Sequence, residues 1–177
     1  DVEFFQQALG FRVGNYGMTK WSDLFTSRQL VAMTTYSDLV QEAHHLIKED
    51  AAKETLGDDE KHTVARHVGA TAYADAVALY LAFGMSKTAN RANNLATWMP
   101  SVQCPGHLFR RHAIPMSWDF CEGNSISGPS GSFESMIDDT ARALDFTASS
   151  KSNGFSSQAD AAQQVISSQK IVSTDPP

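Results

Sequence analysis

Apolar side chains recur at steps of three and four residues over much of the chain, which is the period of an amphipathic helix. The first such stripe predicts a helix from Thr26 to about Glu49. The residues of this stripe are Leu30, Met33, Tyr36, Val40, Ala43 and Ile47. Thr26-Ser27-Arg28-Gln29 forms a capping box at its start, because Thr26 and Gln29 can each accept the other's backbone N–H.

Two further helices follow from the same kind of pattern. An Ala-rich stretch predicts a second helix from near Asp58 to about Asn93, with small side chains that would let another helix approach closely. A third set of apolar residues at helical spacing predicts a helix from Ser132 to Leu144. We therefore expect a mainly α chain with three sizeable helices and one or two short strands.

Polar residues on the first two helices have two interpretations each. Arg28, Gln29 and Asp38 lie off the first apolar stripe, where they either face a cleft or form solvated helix surface. Lys87 and Arg91 are one turn apart near the end of the second helix, where they either contact phosphate or complement the helix dipole. The pattern favours the surface and dipole interpretations.

The stretches that flank the helices are rich in turns. Residues 1–25 interleave six aromatic side chains with three glycines, which predicts an irregular arm packed on a larger body. Residues 95–131 contain four prolines and form a long connection, and long structureless loops usually have a function. Within it, residues 107–112 could form a short helix or strand whose basic residues, among them Arg111, meet a phosphate. Trp118 and Asp119 could line a pocket. For Trp118, packing in the core is the alternative.

Composition and charge restrict the class of protein. At 177 residues, with 42% apolar and 19% charged residues, the chain is globular in composition and can bury one ordinary core. It has no apolar run long enough to span a bilayer and nothing at its start that resembles a signal peptide, so we expect no membrane contact. Two cysteines make no disulfide framework, which fits a cytoplasmic location. The net charge of −6 argues against phosphate binding over the whole surface.

The last eight residues carry the most specific chemistry. Ile171 and Val172 favour a strand, and this strand must end where Asp175-Pro176-Pro177 begins. Prolines have no N–H, so this stiff corner presents acceptors with few competing donors. The side-chain oxygen of Asp175 and the carbonyl of Pro176 could each accept one N–H of an exocyclic amine on adenine or cytosine.

This corner resembles the Asp-Pro-Pro-Tyr motif of amino-methyltransferases that act on a flipped base. The rest of the chain is similar, in block order, to the large prokaryotic predicted adenine-specific DNA methylases with a mid-chain zinc ribbon and an N-terminal domain of unknown function. The blocks are Gly10-Phe11-Arg12-Val13, Tyr16-Gly17-Met18-Thr19-Lys20-Trp21, Asp23-Leu24-Phe25-Thr26-Ser27-Arg28-Gln29-Leu30, Thr34-Thr35-Tyr36-Ser37-Asp38-Leu39-Val40 and Ala113-Ile114-Pro115-Met116-Ser117-Trp118-Asp119-Phe120.

The resemblance implies a fragment of an S-adenosylmethionine-dependent DNA adenine-N6 methyltransferase. It implies that Asp175, Pro176 and Pro177 form the catalytic corner, and that the aromatic residue which would stack the base follows Pro177. Asp160 would accept the N6–H of the cofactor's adenine, although a helix N-cap explains it equally well. The family's glycine-rich cofactor loop lies upstream, so we expect the fragment alone to be inactive and to bind the cofactor poorly.

The resemblance also implies a place in a larger fold. Residues 1–156 would be a helical insertion that covers the cleft of an α/β Rossmann-like methyltransferase, and residues 157–177 would begin its catalytic sheet, all in one compact unit. The motif recognises an amine and not a whole base, so cytosine N4, RNA or a protein amide stay open as substrates. The oligomeric state is not readable from the sequence.

Other signals are weaker. The glycines of residues 123–130 have the spacing of a phosphate loop, but Pro129 occupies the lysine position. Cys104, His107, His112 and Cys121 match no common zinc spacing, and the family's ribbon uses paired cysteines that this chain lacks, so we expect no bound metal. The alternative function is a helical DNA- or protein-interaction module without catalysis, in which the Asp-Pro-Pro corner is only structural.

Overall fold

The computed structural model describes residues 2–3, 12–54, 69–109, 113–128 and 131–147, together with the isolated positions 160, 162, 163, 165 and 168. Within these ranges the chain forms three α-helices and one two-stranded antiparallel sheet, preceded by two 3₁₀ turns. The elements are α1 (Ser27–Lys53), α2 (Ala70–Ala89), β1 (Trp98–Met99), β2 (Cys104–Pro105) and α3 (Phe133–Asp145). The expectation of a mainly α chain with short strands is confirmed.

The capping box predicted at the start of α1 is confirmed. The Thr26 hydroxyl accepts the backbone N–H of Gln29 at 3.2 Å, and Gln29 Oε1 accepts the backbone N–H of Thr26 at 2.8 Å. Two of the N–H groups that a helix start leaves unpaired are thereby satisfied. The helix runs to Lys53, about one turn beyond the predicted end.

Helix α2 lies antiparallel to α1. His44 Nε2 is 2.8 Å from Asp75 Oδ1 near the middle of the pair, while Asn94, after the end of α2, donates its backbone N–H to the carbonyl of Leu24, before the start of α1. The predicted start near Asp58 falls outside the described residues. The helix ends at Ala89, one turn earlier than predicted.

Helix α3 packs against α2 where a glycine allows close approach. A Cβ atom built on the buried Gly84 would lie 2.3 Å from Ile137 Cδ1, a distance that no real Cβ shows. Tyr36 of α1 stacks on Phe133 with ring centroids 4.5 Å apart and 11° between planes. Ser132 caps α3 by accepting the N–H of Ser135 at 3.2 Å, so the predicted third helix is confirmed to within one residue at each end.

The short sheet lies in the proline-rich connection. Trp98 pairs with Pro105 and Met99 with Cys104, and the turn between them places Gln103 at a φ of 51°. The predicted strand at Ile171 and Val172 lies outside the described residues. His107, Leu108 and Phe109 form neither the helix nor the strand expected there, and residues 110–112 are outside the described ranges.

Segments distant in sequence meet in the core. Its fully or nearly fully buried members come from the aromatic arm and from the connection after α2, with Met18, Phe25 and Met116 packed around them. The core residues are Val13, Leu24, Leu95, Leu108 and Ile114. The arm therefore packs on a larger body through its described residues, as the sequence predicts.

The chain divides into two compact units, residues 1–147 and residues 148–177. All helices and strands given above belong to the first unit. Of the second unit only five positions are described, so the proposed boundary after residue 156 stays a prediction. No helix in the described ranges combines the length and the apolar character needed to cross a bilayer.

Candidate functional site

The predicted site residues divide into two groups. Asp175, Pro176, Pro177 and Arg111 fall outside the described residues, so the catalytic corner stays a prediction from sequence. Trp118, Asp119 and Asp160 are described. Trp118 and Asp119 belong to the first compact unit, and Asp160 to the second.

Trp118 is an exposed side chain, not a core residue. Its surface is 76% accessible, which excludes the core-packing interpretation of the sequence. The ring of Tyr16, itself 54% exposed, meets Trp118 edge to face with centroids 5.0 Å apart and 86° between planes. The Tyr16–Trp118 pair therefore presents a large indole to solvent, and such a surface can stack a planar ligand.

The pair also joins blocks that are far apart in sequence. The backbone N–H of Arg12 donates to the carbonyl of Ile114 at 3.3 Å, and Tyr16 follows one 3₁₀ turn later. Ile114 and Val13 are both buried in the core. The arm is thus fixed against residues 113–118 by a hydrogen bond, by the core and by the aromatic contact.

Asp119 is exposed and acts on its neighbour Cys121. Burial raises the pKa of the Cys121 thiol, and the charge of Asp119 raises that pKa further. The thiol donates to the carbonyl of Ala96 at 3.2 Å. A thiol that is held protonated is a poor nucleophile, so the surroundings of Cys121 suit a structural residue.

Arg91 has a structural partner set and is only partly exposed. Its Nη1 donates to Cys104 Sγ at 3.0 Å and to the carbonyl of Pro105 at 2.9 Å, and its Nη2 lies 3.3 Å from His107 Nε2. Phosphate contact and dipole complementation were the two interpretations from sequence. The structure replaces both with a bridge between the end of α2 and β2.

The polar residues predicted to lie off the stripe of α1 differ in their exposure and in their partners. Arg28 is exposed and forms an ion pair with Glu122, whose Oε1 accepts from Nε at 3.3 Å. Asp38 is exposed, as a surface residue should be. The prediction for Gln29 was wrong, because its side chain is 4% exposed and folds under the helix start to complete the capping box. In the described part of the chain its Nε2 has no hydrogen-bond partner.

Asp160 behaves as a turn residue. Its Oδ1 accepts the N–H of Ala162 at 2.9 Å, and its backbone carbonyl accepts the N–H of Gln163 at 3.1 Å. These bonds form a turn, and the helix N-cap that was the alternative account of Asp160 stays a prediction, because its neighbours 161 and 164 lie outside the described positions. The second carboxylate oxygen could still accept one N–H of an adenine.

The fit of S-adenosylmethionine to the described residues is therefore limited to that one acceptor. Neither β1 nor β2 is followed by a glycine-rich loop that would cradle the methionine moiety. The residues described here do not by themselves make a site for the cofactor.

One cavity was not anticipated from the sequence. It has a volume of about 440 Å³ and lies along the first turns of α3, where the carboxylates of Glu134, Asp138 and Asp139 are accompanied by Arg142. Arg142 Nη2 donates to Asp139 at 2.5 Å. Because this is one arginine beside three carboxylates, the surface stays acidic. The acidic residues are visible in the sequence, but their spacing alone does not indicate a cavity.

Across the described ranges, no group of three or more His, Cys, Asp or Glu side chains is placed to hold a metal ion. The absence of a bound metal stays a prediction for the whole chain. Comparison with protein-family models, with curated proteins and with solved structures finds no match for this chain.

Proposed function

We propose that this chain is part of an S-adenosylmethionine-dependent DNA adenine-N6 methyltransferase of the Asp-Pro-Pro-Tyr class. One resemblance carries the proposal: five sequence blocks resemble that family in its order, and they are followed by a β-branched run that ends in Asp175-Pro176-Pro177. On this proposal residues 1–156 cover the cleft of a Rossmann-like domain, and the enzyme acts on DNA in the cytoplasm.

The aromatic pair supports the proposal. Tyr16 and Trp118 come from two of the resembling blocks and meet at the surface, where the indole is 76% exposed. Stacking on an aromatic side chain is worth about 1–3 kcal/mol per base and compensates part of the cost of unstacking a base from the duplex. Trp118 would stack on a base of the substrate, with Asp119 as a polar contact. Arg111, which lies outside the described residues, is proposed as a further substrate contact from the sequence.

The proposed chemistry belongs to the corner. Asp175 and the carbonyl of Pro176 each accept one N–H of the target amine, which keeps electron density on the nitrogen while it accepts a methyl group. S-adenosylmethionine would supply that methyl group: the C–S bond of its sulfonium would break as the N–C bond forms, and the amine would lose one proton to solvent. Asp160 would accept the N6–H of the cofactor's adenine through its second carboxylate oxygen. The stiffness of two consecutive prolines holds the acceptors in place before the substrate arrives.

The test is methyl transfer by the full-length protein that contains this chain. Labelled methyl from S-adenosylmethionine is supplied with unmethylated DNA to the wild type and to the Asp175→Ala and Asp175→Asn variants. We expect the wild type to label adenine and Asp175→Ala to lose at least about 100-fold in rate, the scale for a lost transition-state acceptor. Label on cytosine, RNA or protein amides would mean that the protein is an amino-methyltransferase with a substrate other than adenine in DNA. Full activity in Asp175→Ala would refute the catalytic corner.

The alternative is a helical interaction module without catalysis. A specific observation favours it: α2 exposes Tyr73, Leu79, Tyr80 and Phe83 on one side, with accessible fractions between 37% and 54%. Uncovered apolar surface of this kind is typical of interaction sites. The two functions separate in the same assay, because a module binds its partner and transfers no methyl group.

A further inference from the structure

One face of α2 has the spacing of a helix–helix seam, but no helix of the described ranges covers it. Tyr73, Ala76, Tyr80 and Phe83 follow one another at steps of three, four and three residues, the a/d repeat of a coiled coil. All four residues are exposed, and Leu79 flanks the row. We call Tyr73, Ala76, Leu79, Tyr80 and Phe83 the α2 seam.

The opposite side of α2 already has its partners. Ala70, Ala74, Gly84 and Thr88 are buried against the rest of the unit, with α1 and α3 packed there. The helix is therefore apolar around most of its circumference, a property of helices that are covered on all sides. The α2 seam is the side that α1 and α3 leave open.

Charge is almost absent from the helix. In a chain of net charge −6, α2 contains only Asp75 and Lys87 as charged residues, and Asp75 is bonded to His44 of α1. No acidic side chain lies in the seam, so two copies of this face can meet without bringing like charges together. Depletion of charge with enrichment of aromatic residues is the composition of an interface core.

The order of large and small side chains in the seam complements itself. In an antiparallel pair of α2 helices centred between Ala76 and Tyr80, Tyr80 of each copy lies over the small Ala76 of the other. Tyr73 then meets Phe83 of the other copy at both ends. Each contact occurs twice, as a two-fold interface requires. A parallel pair would instead set Tyr80 against Tyr80 and leave Ala76 opposite Ala76.

We propose that the α2 seam is the interface of a symmetric antiparallel dimer of this chain. The four large side chains are about half exposed, and an aromatic side chain contributes about 150–250 Å², so each copy would bury on the order of 400 Å². That is about half of the roughly 800 Å² per partner in a stable interface. The dimer is therefore weak and depends on protein concentration. It does not rest on methyl transfer, and either can fail without the other.

The first test is sedimentation velocity of the 177-residue chain from about 5 to about 500 µM, the range in which a small interface associates. We expect the mean mass to rise toward twice the monomer mass. Tyr80→Asp combined with Phe83→Asp should abolish the rise. The matched control is Val31→Asp, on α1, where an exposed valine also receives a charge and association should be unchanged. Circular dichroism checks that each variant keeps its helices.

The second test measures the register. In a Cys121→Ser background, Tyr73→Cys together with Phe83→Cys should form cross-linked dimers on mild oxidation, because the two positions face each other across the seam. Tyr73→Cys alone should not cross-link, since its two copies lie at opposite ends. A wild type that stays monomeric over the whole range would overturn the proposal. Cross-linking by Tyr73→Cys alone to the same extent as by the double variant would overturn it too. So would a loss of association in Val31→Asp equal to that in the Tyr80→Asp, Phe83→Asp variant.

Discussion

Asp23 organises the short segment that leads into α1. One of its carboxylate oxygens accepts the backbone N–H of Lys20 at 2.9 Å and that of Thr19 at 2.8 Å. These hydrogen bonds lower the pKa of Asp23 below its ordinary value of 3.8. A carboxyl whose pKa is lower in the folded state stabilises the fold above its unfolded pKa, and loses this effect as the pH falls through the folded pKa.

Replacing Asp23 by Asn should therefore reduce stability at neutral pH and make little difference in strong acid. The amide keeps the shape but accepts hydrogen bonds less strongly than the charged carboxylate does. Urea unfolding at pH 7 and at a pH below the lowered pKa of Asp23 measures the change. Asp38→Asn, at an exposed position on α1, is the control and should behave as the wild type does at both values. A loss from Asp23→Asn that is equal at both pH values would contradict this account.

Cys121 should be slow to alkylate at neutral pH. Burial and the nearby charge of Asp119 raise the pKa of its thiol above 9.0, so little thiolate is present. We expect the rate with iodoacetamide to rise with pH and to level off only above the ordinary thiol pKa of 9.0. Asp119→Asn should shift this climb to lower pH. Cys121→Ser identifies the label, because Cys104 is 1% exposed. Fast labelling of Cys121 at pH 7 would be inconsistent with the structure.

At the scale of elements, the start of α1 depends on its cap. Thr26→Ala removes an acceptor for the N–H of Gln29 and should cost about 0.5–2 kcal/mol of unfolding free energy. Thr26→Ser keeps the hydroxyl and is the matched control, with a much smaller loss. Chemical denaturation followed by circular dichroism gives both values. If the two variants were equally destabilised, the hydroxyl would not be the stabilising group.

The contact between α2 and α3 depends on Gly84. Alanine at this position gains up to about 1 kcal/mol of helix propensity, but its methyl group collides with Ile137 Cδ1, and overpacking costs about 1–3 kcal/mol. We expect Gly84→Ala to destabilise the wild type. In an Ile137→Val background, which lacks that methyl group, the same change should be less harmful or stabilising. A double-mutant cycle measures this coupling, and additive effects would exclude the contact.

Local signals in the sequence predicted the elements well, and long-range contacts explain the errors. The Thr26 box and the Ser132 cap involve residues three positions apart, so the sequence alone contains them. The bridge from Arg91 to Cys104 depends on segments that meet only in the folded chain. Trp118 was ambiguous for the same reason, because exposure is a property of the assembled core.

At the scale of the whole molecule, stability depends on the core that joins the arm to the connection after α2. Ile114 is 1% exposed and packs in that core. Ile114→Ala should cost about 2–5 kcal/mol, because it loses buried apolar contact and leaves a cavity. Ile126→Ala, at a site that is 71% exposed, is the control, and surface changes usually stay within about 0.5 kcal/mol. A small loss at Ile114 would show that the arm contributes little to folding.

The candidate site could be predicted only in part. Sequence singled out Trp118, and the structure adds that Tyr16 supports it and that Asp160 caps a turn. The sequence did not indicate that the α2 seam is open surface, because an apolar row on a helix has the same pattern whether or not another helix covers it. The Asp175 corner stays a prediction that activity measurements must test.

The long separation of the core's segments has a consequence for biosynthesis. Asp23 and Asn94, which bond across the end of the helix pair, are 71 positions apart, and Arg28 and Glu122 are 94 apart. A ribosome adds about 5–20 residues per second, so the arm emerges on the order of 5–20 s before Ile114 exists to bury it. During that interval Val13 and Leu24 face water on the nascent chain, where chaperones recognise such surface.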